Sequence, residues 1–369
     1  YWSAGGNFYR GGAGADTLDY SAAAGVAVTD NISFDMSVMV GGVYQINFNG
    51  LPQDFASSIE IVYAGDGNDT ISGDGQANAF YGGDGNDTLV GRDGNDTLSG
   101  GAGADTLNGG DQNDYIYEQA EAGVGSNDVI IGGSGTDTLE YIGADGVYVD
   151  LQAGTAKDHP SATGPNYIGN DTISGIENVV GTDGDDSLVG NASNNTLLGG
   201  AGDDVFVGGL GNDVLDGDAG NDSVSFAAES GNIYYDMNTV DAEGYSSVTV
   251  GASNTDRIRS VENVIGGLGN DTIIGDANDN VISTGAGNDS IIGGDGNDTI
   301  DGGTGHDIVD YAGTATGIIV DLNVVDGSGY STVNIGFERD LVRGVEEFVG
   351  SGSADQIYGG SEDNIIYGS

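Results

Sequence analysis

The chain has 369 residues, of which 71 are Gly, 3 are Pro and none is Cys, and its 59 acidic side chains against 7 basic ones leave a formal charge of −52. So much glycine, against roughly 7% in globular chains, excludes an ordinary helical domain; the lack of a Gly at every third position excludes a collagen, and 37% hydrophobic content with 18 Tyr is too much for a disordered linker. The charge repels nucleic acid and anionic membranes and attracts cations, no run approaches the roughly 20 apolar residues of a membrane span, and neither a disulfide nor a cysteine metal site can form.

What remains is a repetitive, turn-rich β structure. Of the acids 47 are Asp and only 12 are Glu. Asp beside Gly is the composition of oxygen-ligand turns, because a short carboxylate can reach a cation bound by its own loop, and this points to calcium. The start, Tyr1-Trp2-Ser3, is neither an initiator Met nor a signal peptide, and Tyr367-Gly368-Ser369 stops two residues into a further motif, so a processed product or a piece of a longer chain is expected.

In chain order, the first element is Asp16-Thr17-Leu18-Asp19-Tyr20, followed by a stretch that returns through Ile59-Glu60-Ile61-Val62. Then comes the clearest self-similarity. Gly82-Gly83-Asp84-Gly85-Asn86-Asp87-Thr88-Leu89-Val90 is followed by Gly91-Arg92-Asp93-Gly94-Asn95-Asp96-Thr97-Leu98-Ser99 and Gly100-Gly101-Ala102-Gly103-Ala104-Asp105-Thr106-Leu107-Asn108. The period is nine, written G-G-x-G-x-D-x-U-x with U a large aliphatic, and 22 such units carry Asp or Asn at the sixth position. Glycines at positions one, two and four allow a tight loop whose carbonyls turn inward, and the sixth-position Asp adds charge. The three residues after it form a very short strand with only its middle member inward. Leu89, Leu98, Leu107, Leu188, Leu197, Phe206, Leu215, Ile273, Ile282, Ile291 and Ile300 hold that inward place.

A longer repeat lies on top. Asp137-Thr-Leu-Glu-Tyr141, Asp222-Ser-Val-Ser-Phe226 and Asp307-Ile-Val-Asp-Tyr311 are spaced by 85 residues. Each is followed by strand-like patterns, Val147-Tyr148-Val149-Asp150-Leu151, Ile233-Tyr234-Tyr235-Asp236-Met237 and Ile318-Ile319-Val320-Asp321-Leu322. The nonapeptides resume through Ile176-Glu177-Asn178-Val179, Val261-Glu262-Asn263-Val264 and Val345-Glu346-Glu347-Phe348. Register puts Glu60, Glu177, Glu262 and Glu346 at sixth positions, each facing Asn78, Asn195, Asn280 or Asn364 a double repeat later. Two readings stay open there: a cap in which the Asn amide satisfies the Glu carboxylate, or a variant calcium site.

The nonapeptide resembles the RTX (repeats-in-toxin, haemolysin-type) calcium-binding family. The resemblance implies an all-β fold, a right-handed parallel β-roll in which two nonapeptides make one turn and loops 18 residues apart share a calcium. It divides the chain into opening nonapeptides plus a β-rich insert (1–63), a roll block (64–140), an insert (141–180), a block (181–225), an insert (226–265), a block (266–310), an insert (311–349) and the start of a further block (350–369). Seven pairs then place Asp at both ends of one turn: Asp69/Asp87, Asp87/Asp105, Asp96/Asp114, Asp186/Asp204, Asp204/Asp222, Asp271/Asp289 and Asp289/Asp307. Three pairs, Asn78/Asp96, Asn195/Asp213 and Asn280/Asp298, exchange one Asp for Asn and should bind more weakly. Asp16, Asp128, Asp137 and Asp355 complete the candidate ligands, and about ten calcium ions are expected.

No Ser has a G-x-S-x-G elbow, no H-E-x-x-H occurs, and His159 and His306 stand in unrelated contexts, so no active site is expected within these residues. The resemblance admits two functions. One is a calcium-rigidified structural and interaction module of a secreted or cell-surface bacterial protein, of the adhesin, surface-layer or extracellular-filament type. The other is the export and folding module of a type I secreted enzyme such as a lipase, metalloprotease or alginate epimerase. Neither end reads as a polar cap, the first unit fitting only with Asn7 at its sixth place, so the roll is expected to continue into a longer chain or to stack end to end with other copies.

Overall fold

A computed structural model describes residues 8–21, 31–39, 42–49, 51–122, 126–162, 166–251, 254–361 and 363–368; Asn7 lies outside them. All regular structure among the described residues is β, and the strands of the repeats pair in parallel. The fold is the parallel β-roll. Two compact units divide the chain, one of residues 1–191 and 195–201, the other of 192–194 and 202–369.

In the first unit the middle residue of each short strand stacks on that of the next turn. One row runs Leu18, Val62, Phe80, Leu98, Ile116, Leu139, Val179, Leu197. The facing row runs Ile71, Leu89, Leu107, Ile130, Ile173. Every residue of both rows is at most 5% exposed, so these single residues are the core. The second unit repeats the plan. Phe206, Val224, Val264, Ile282, Ile300 and Val342 form one row, and Tyr235, Ile273, Ile291, Val309 and Phe348 belong to the other. With strands of three to six residues and one inward side chain apiece, the apolar core is a thread rather than a slab.

The inserts are antiparallel meanders built onto this frame. In the second unit Ile233–Val240 pairs with Ser246–Val250, and that with Asn254–Arg259. Its first strand then runs parallel to Thr272–Ile274 and its last parallel to Val214–Ala219. Ile318–Val325, Ser331–Ile335 and Glu338–Arg343 do the same, as do Ile32–Met39, Tyr44–Phe48 and Leu51–Ser57 in the first unit. The returning strand of each insert therefore occupies a rung of the roll itself. Close approach of successive turns explains the glycines: on Gly85, at φ +127°, a Cβ would sit 1.9 Å from the Gly67 carbonyl oxygen one turn below.

Candidate metal centres

The sixth-position side chains form ladders along the loops. The Asp69 amide donates to Asp87 Oδ1 at 2.7 Å, the Asp87 amide to Asp105 Oδ1 at 2.6 Å and the Asp96 amide to Asp114 Oδ1 at 2.8 Å. In the second unit the same bond joins Asp204 to Asp222, Asp271 to Asp289 and Asp289 to Asp307. Asn78 and Asn280 donate in the same way to Asp96 and Asp298. Asp186 and Asn195 belong to the first unit, Asp204 and Asp213 to the second.

The ladder runs past the strict 18-residue spacing. Asp105 donates to Asp128 Oδ1 and Asp114 to Asp137 Oδ1 across 23 residues, because the intervening loop is longer. The Asp16, Asp137, Asp222 and Asp307 amides donate to Oε2 of Glu60, Glu177, Glu262 and Glu346, so these glutamates do the work of Asp Oδ1 with one more methylene of reach. The cap reading needs correction in its atoms: Asn195 and Asn280 donate their amides to the backbone carbonyls of Glu177 and Glu262, not to the carboxylates.

Three acids that the repeat pattern misses stand on the same ladder. Asp171, Asp256 and Asp340 accept from the amides of Asp128, Asp213 and Asp298 through Oδ1. A signal was present, since Asp171-Thr-Ile-Ser, Asp256-Arg-Ile-Arg and Asp340-Leu-Val-Arg keep the D-x-U-x tail of the nonapeptide with only one of its three glycines each, Gly169, Gly251 and Gly336. The first insert strands also join, the Ile32, Val147, Ile233 and Ile318 amides donating to Oδ1 of Asp69, Asp186, Asp271 and Asp355.

What becomes of the second oxygen sorts these loops into three kinds. In closed loops an amide four residues earlier takes it: Gly12 for Asp16, Thr182 for Asp186 and Gly267 for Asp271, with Asp74, Asn191 and Asp276 doing so for Oδ1 of Asn78, Asn195 and Asn280. In plugged loops a buried tyrosine hydroxyl takes it, Tyr141 on Asp171 at 3.0 Å and Tyr311 on Asp340 at 2.9 Å, with Tyr20 on Asp54 at 3.3 Å. In open loops nothing does. Oδ2 of Asp69, Asp87, Asp96, Asp114, Asp137, Asp222, Asp289, Asp298 and Asp307 is buried and has no hydrogen-bond partner.

An ionised carboxylate oxygen in that state is costly unless a cation meets it. Burial, with the neighbouring Asp105 and Asp69 charges, pushes Asp87 up to about 8, against a relieving bond from the Asp69 amide. Burial likewise lifts Asp114 and Asp298 to about 7 and Asp96, Asp222 and Asp307 to about 6. Arginine does not relieve them: among the described residues the arginine ion pairs go to Asp35, Asp216, Asp241, Glu243 and Asp301. Backbone carbonyls crowd the same place, since a Cβ on Gly82 would meet Asp87 Oδ2 at 2.1 Å and the Gly100 carbonyl at 2.5 Å. Among the described residues no three His, Cys, Asp or Glu side chains converge as metal ligands, so a cation here would need one or two carboxylates completed by carbonyls. The donors are oxygen only, which fits calcium.

The RTX calcium-binding nonapeptide repeat, in four-copy form, matches residues 3–19, 57–116, 122–140, 171–228, 261–309 and 343–369, more than half of the chain. The chain belongs to the RTX family. No curated protein matches it over its length or any part. The RTX repeat is a calcium-binding structural module, and no helix among the described residues is long and apolar enough to cross a membrane.

The plugged loops yield a first prediction. In Tyr141→Phe, Asp171 Oδ2 loses its donor inside the roll, and the calcium-loaded protein is expected to lose about 1–3 kcal/mol, read as a lower urea midpoint. The third insert already carries Phe226 at the equivalent place. An unchanged midpoint would show that the hydroxyl is dispensable.

Proposed function

We propose that this RTX segment is a calcium-rigidified structural and interaction module of a secreted or cell-surface bacterial protein, of the adhesin, surface-layer or extracellular-filament kind. One observation carries the reading: the open loops stack buried carboxylate oxygens that lack a proton donor, an arrangement that a cation completes and that offers a substrate nothing to react with. The calcium ligands are the sixth-position Asp residues of the open loops, and the Asn-containing turns hold calcium more weakly because their amide oxygen is already bonded within its own loop. Export through a type I system fits such a chain, which stays expanded at low cytosolic calcium and folds outside. Association end to end, or membership of a larger chain, belongs to the same reading, because the edge strands of a roll need cover.

Equilibrium dialysis at millimolar free calcium tests it. About ten ions per chain are expected, one for each of the ten paired turns of the sequence, and the loaded chain should resist chymotrypsin despite its 18 Tyr and 9 Phe. Retention of only one or two ions, or rapid cleavage of the loaded chain, would refute the module.

A further inference from the structure

Position one of the nonapeptide is glycine for a steric reason. On Gly100 a Cβ would lie 2.1 Å from Asp105 Oδ2. One turn further along that column stands Glu118, in register with Tyr141 of the next turn. The family match lapses here, over residues 117–121, and the loop that follows is longer, so that its sixth-position acid is Asp128.

Glu118 is 3% exposed and its Oε1 has no hydrogen-bond partner. The charges that act on its carboxylate are those of Asp128, Asp105 and Asp171, all negative, and the Gly100 amide donates to it. Tyr141 offers no relief, because its hydroxyl proton is given to Asp171. Asp128 is held in place on both sides, accepting from the Asp105 amide and donating its own amide to Asp171, with the Ser126 hydroxyl 3.4 Å from Oδ2. An extra carboxylate has thus been built into position one, which is glycine in most turns and Ala64 or Thr284 in two others, and its free oxygen is buried among acids.

We propose that Glu118 and Asp128 supply the side-chain ligands of a separate cation site, taking a hard divalent ion, calcium in an extracellular setting. Oxygen donors select a hard cation, and a carboxylate where the ordinary loops have only a glycine carbonyl makes the site more negative and tighter than its neighbours. Magnesium would keep much of its water shell, for which a site this enclosed has little room. The proposal rests on the calcium reading of the roll.

Two measurements test it. In crystals of the native chain grown with calcium, an anomalous peak is expected about 2.3–2.6 Å from a Glu118 oxygen. In calcium titration by equilibrium dialysis, folded Glu118→Gln should retain one ion fewer per chain at micromolar free calcium, and Glu118→Asp should bind that ion more weakly. Peaks confined to the other loops, or variants with an unchanged binding isotherm, would overturn the Glu118 site and leave the roll reading standing. A native chain that takes up no calcium at all would overturn both.

Discussion

Removing calcium is expected to unfold the protein rather than loosen it. The metal-free chain carries a formal charge of −52 on a core one residue wide per strand, and among the described residues the Oδ2 atoms of nine open-loop aspartates are buried with no donor. Each inward side chain has nine residues to order, more backbone entropy than one buried apolar group offsets. Backbone ladders offset part of the difference, and bound metal must supply the rest. A single site at 100 times its dissociation constant adds about 2.7 kcal/mol, so three independent sites add about 8, comparable to the roughly 5–15 kcal/mol of a whole domain. Far-UV circular dichroism and hydrodynamic radius, followed through chelation and calcium return, read the effect. Loss of the β signal with expansion, both reversed by calcium, is expected. A persistent β signal at an unchanged radius would contradict it.

The repeat was legible because each of its features has one physical cause. Glycine at position one clears the Asp oxygen, glycine at position four clears the carbonyl below, and the aliphatic residue fills the thread, so the nine-residue period marks the tight loops and the inward residues, while the roll itself was an implication of the RTX resemblance. The inserts were legible only as strands. Asp171, Asp256 and Asp340 reach the ladder from antiparallel strands that keep only one nonapeptide glycine each, so the pattern that marks their counterparts is broken. The state of the second carboxylate oxygen was not legible at all. Asp271 and Asp289 share one motif and a mutual hydrogen bond, yet the Gly267 amide closes the first loop while the second stays open. That difference depends on local loop geometry near an insert, which spacing does not encode. Glu118 was passed over for a related reason: it falls outside the repeat, and only its burial among acids marks it.

Acid should partly replace calcium. Burial places Asp87 at about 8, Asp114 and Asp298 at about 7 and Asp96, Asp222 and Asp307 at about 6 in the metal-free roll, all above the roughly 3.9 of an unfolded aspartate. Between about pH 4 and pH 8 the folded state therefore binds more protons than the unfolded one, so metal-free stability is greatest near pH 4, at the unfolded aspartate value, and is lost as pH rises from there through these folded values. Metal-depleted protein moved from pH 8 to pH 5 is expected to gain β signal and contract. With calcium present the direction reverses, because protons and metal compete for the same Oδ2 atoms, and the calcium midpoint should rise as pH falls across the same window. Asp87→Asn removes the highest of these values and should flatten the response between pH 7 and pH 8 while leaving the lower part in place. A metal-free β signal that stays level from pH 8 to pH 5 would mean that the open carboxylates are paired by something other than protons or metal, and with it the argument that calcium is what completes them would fall.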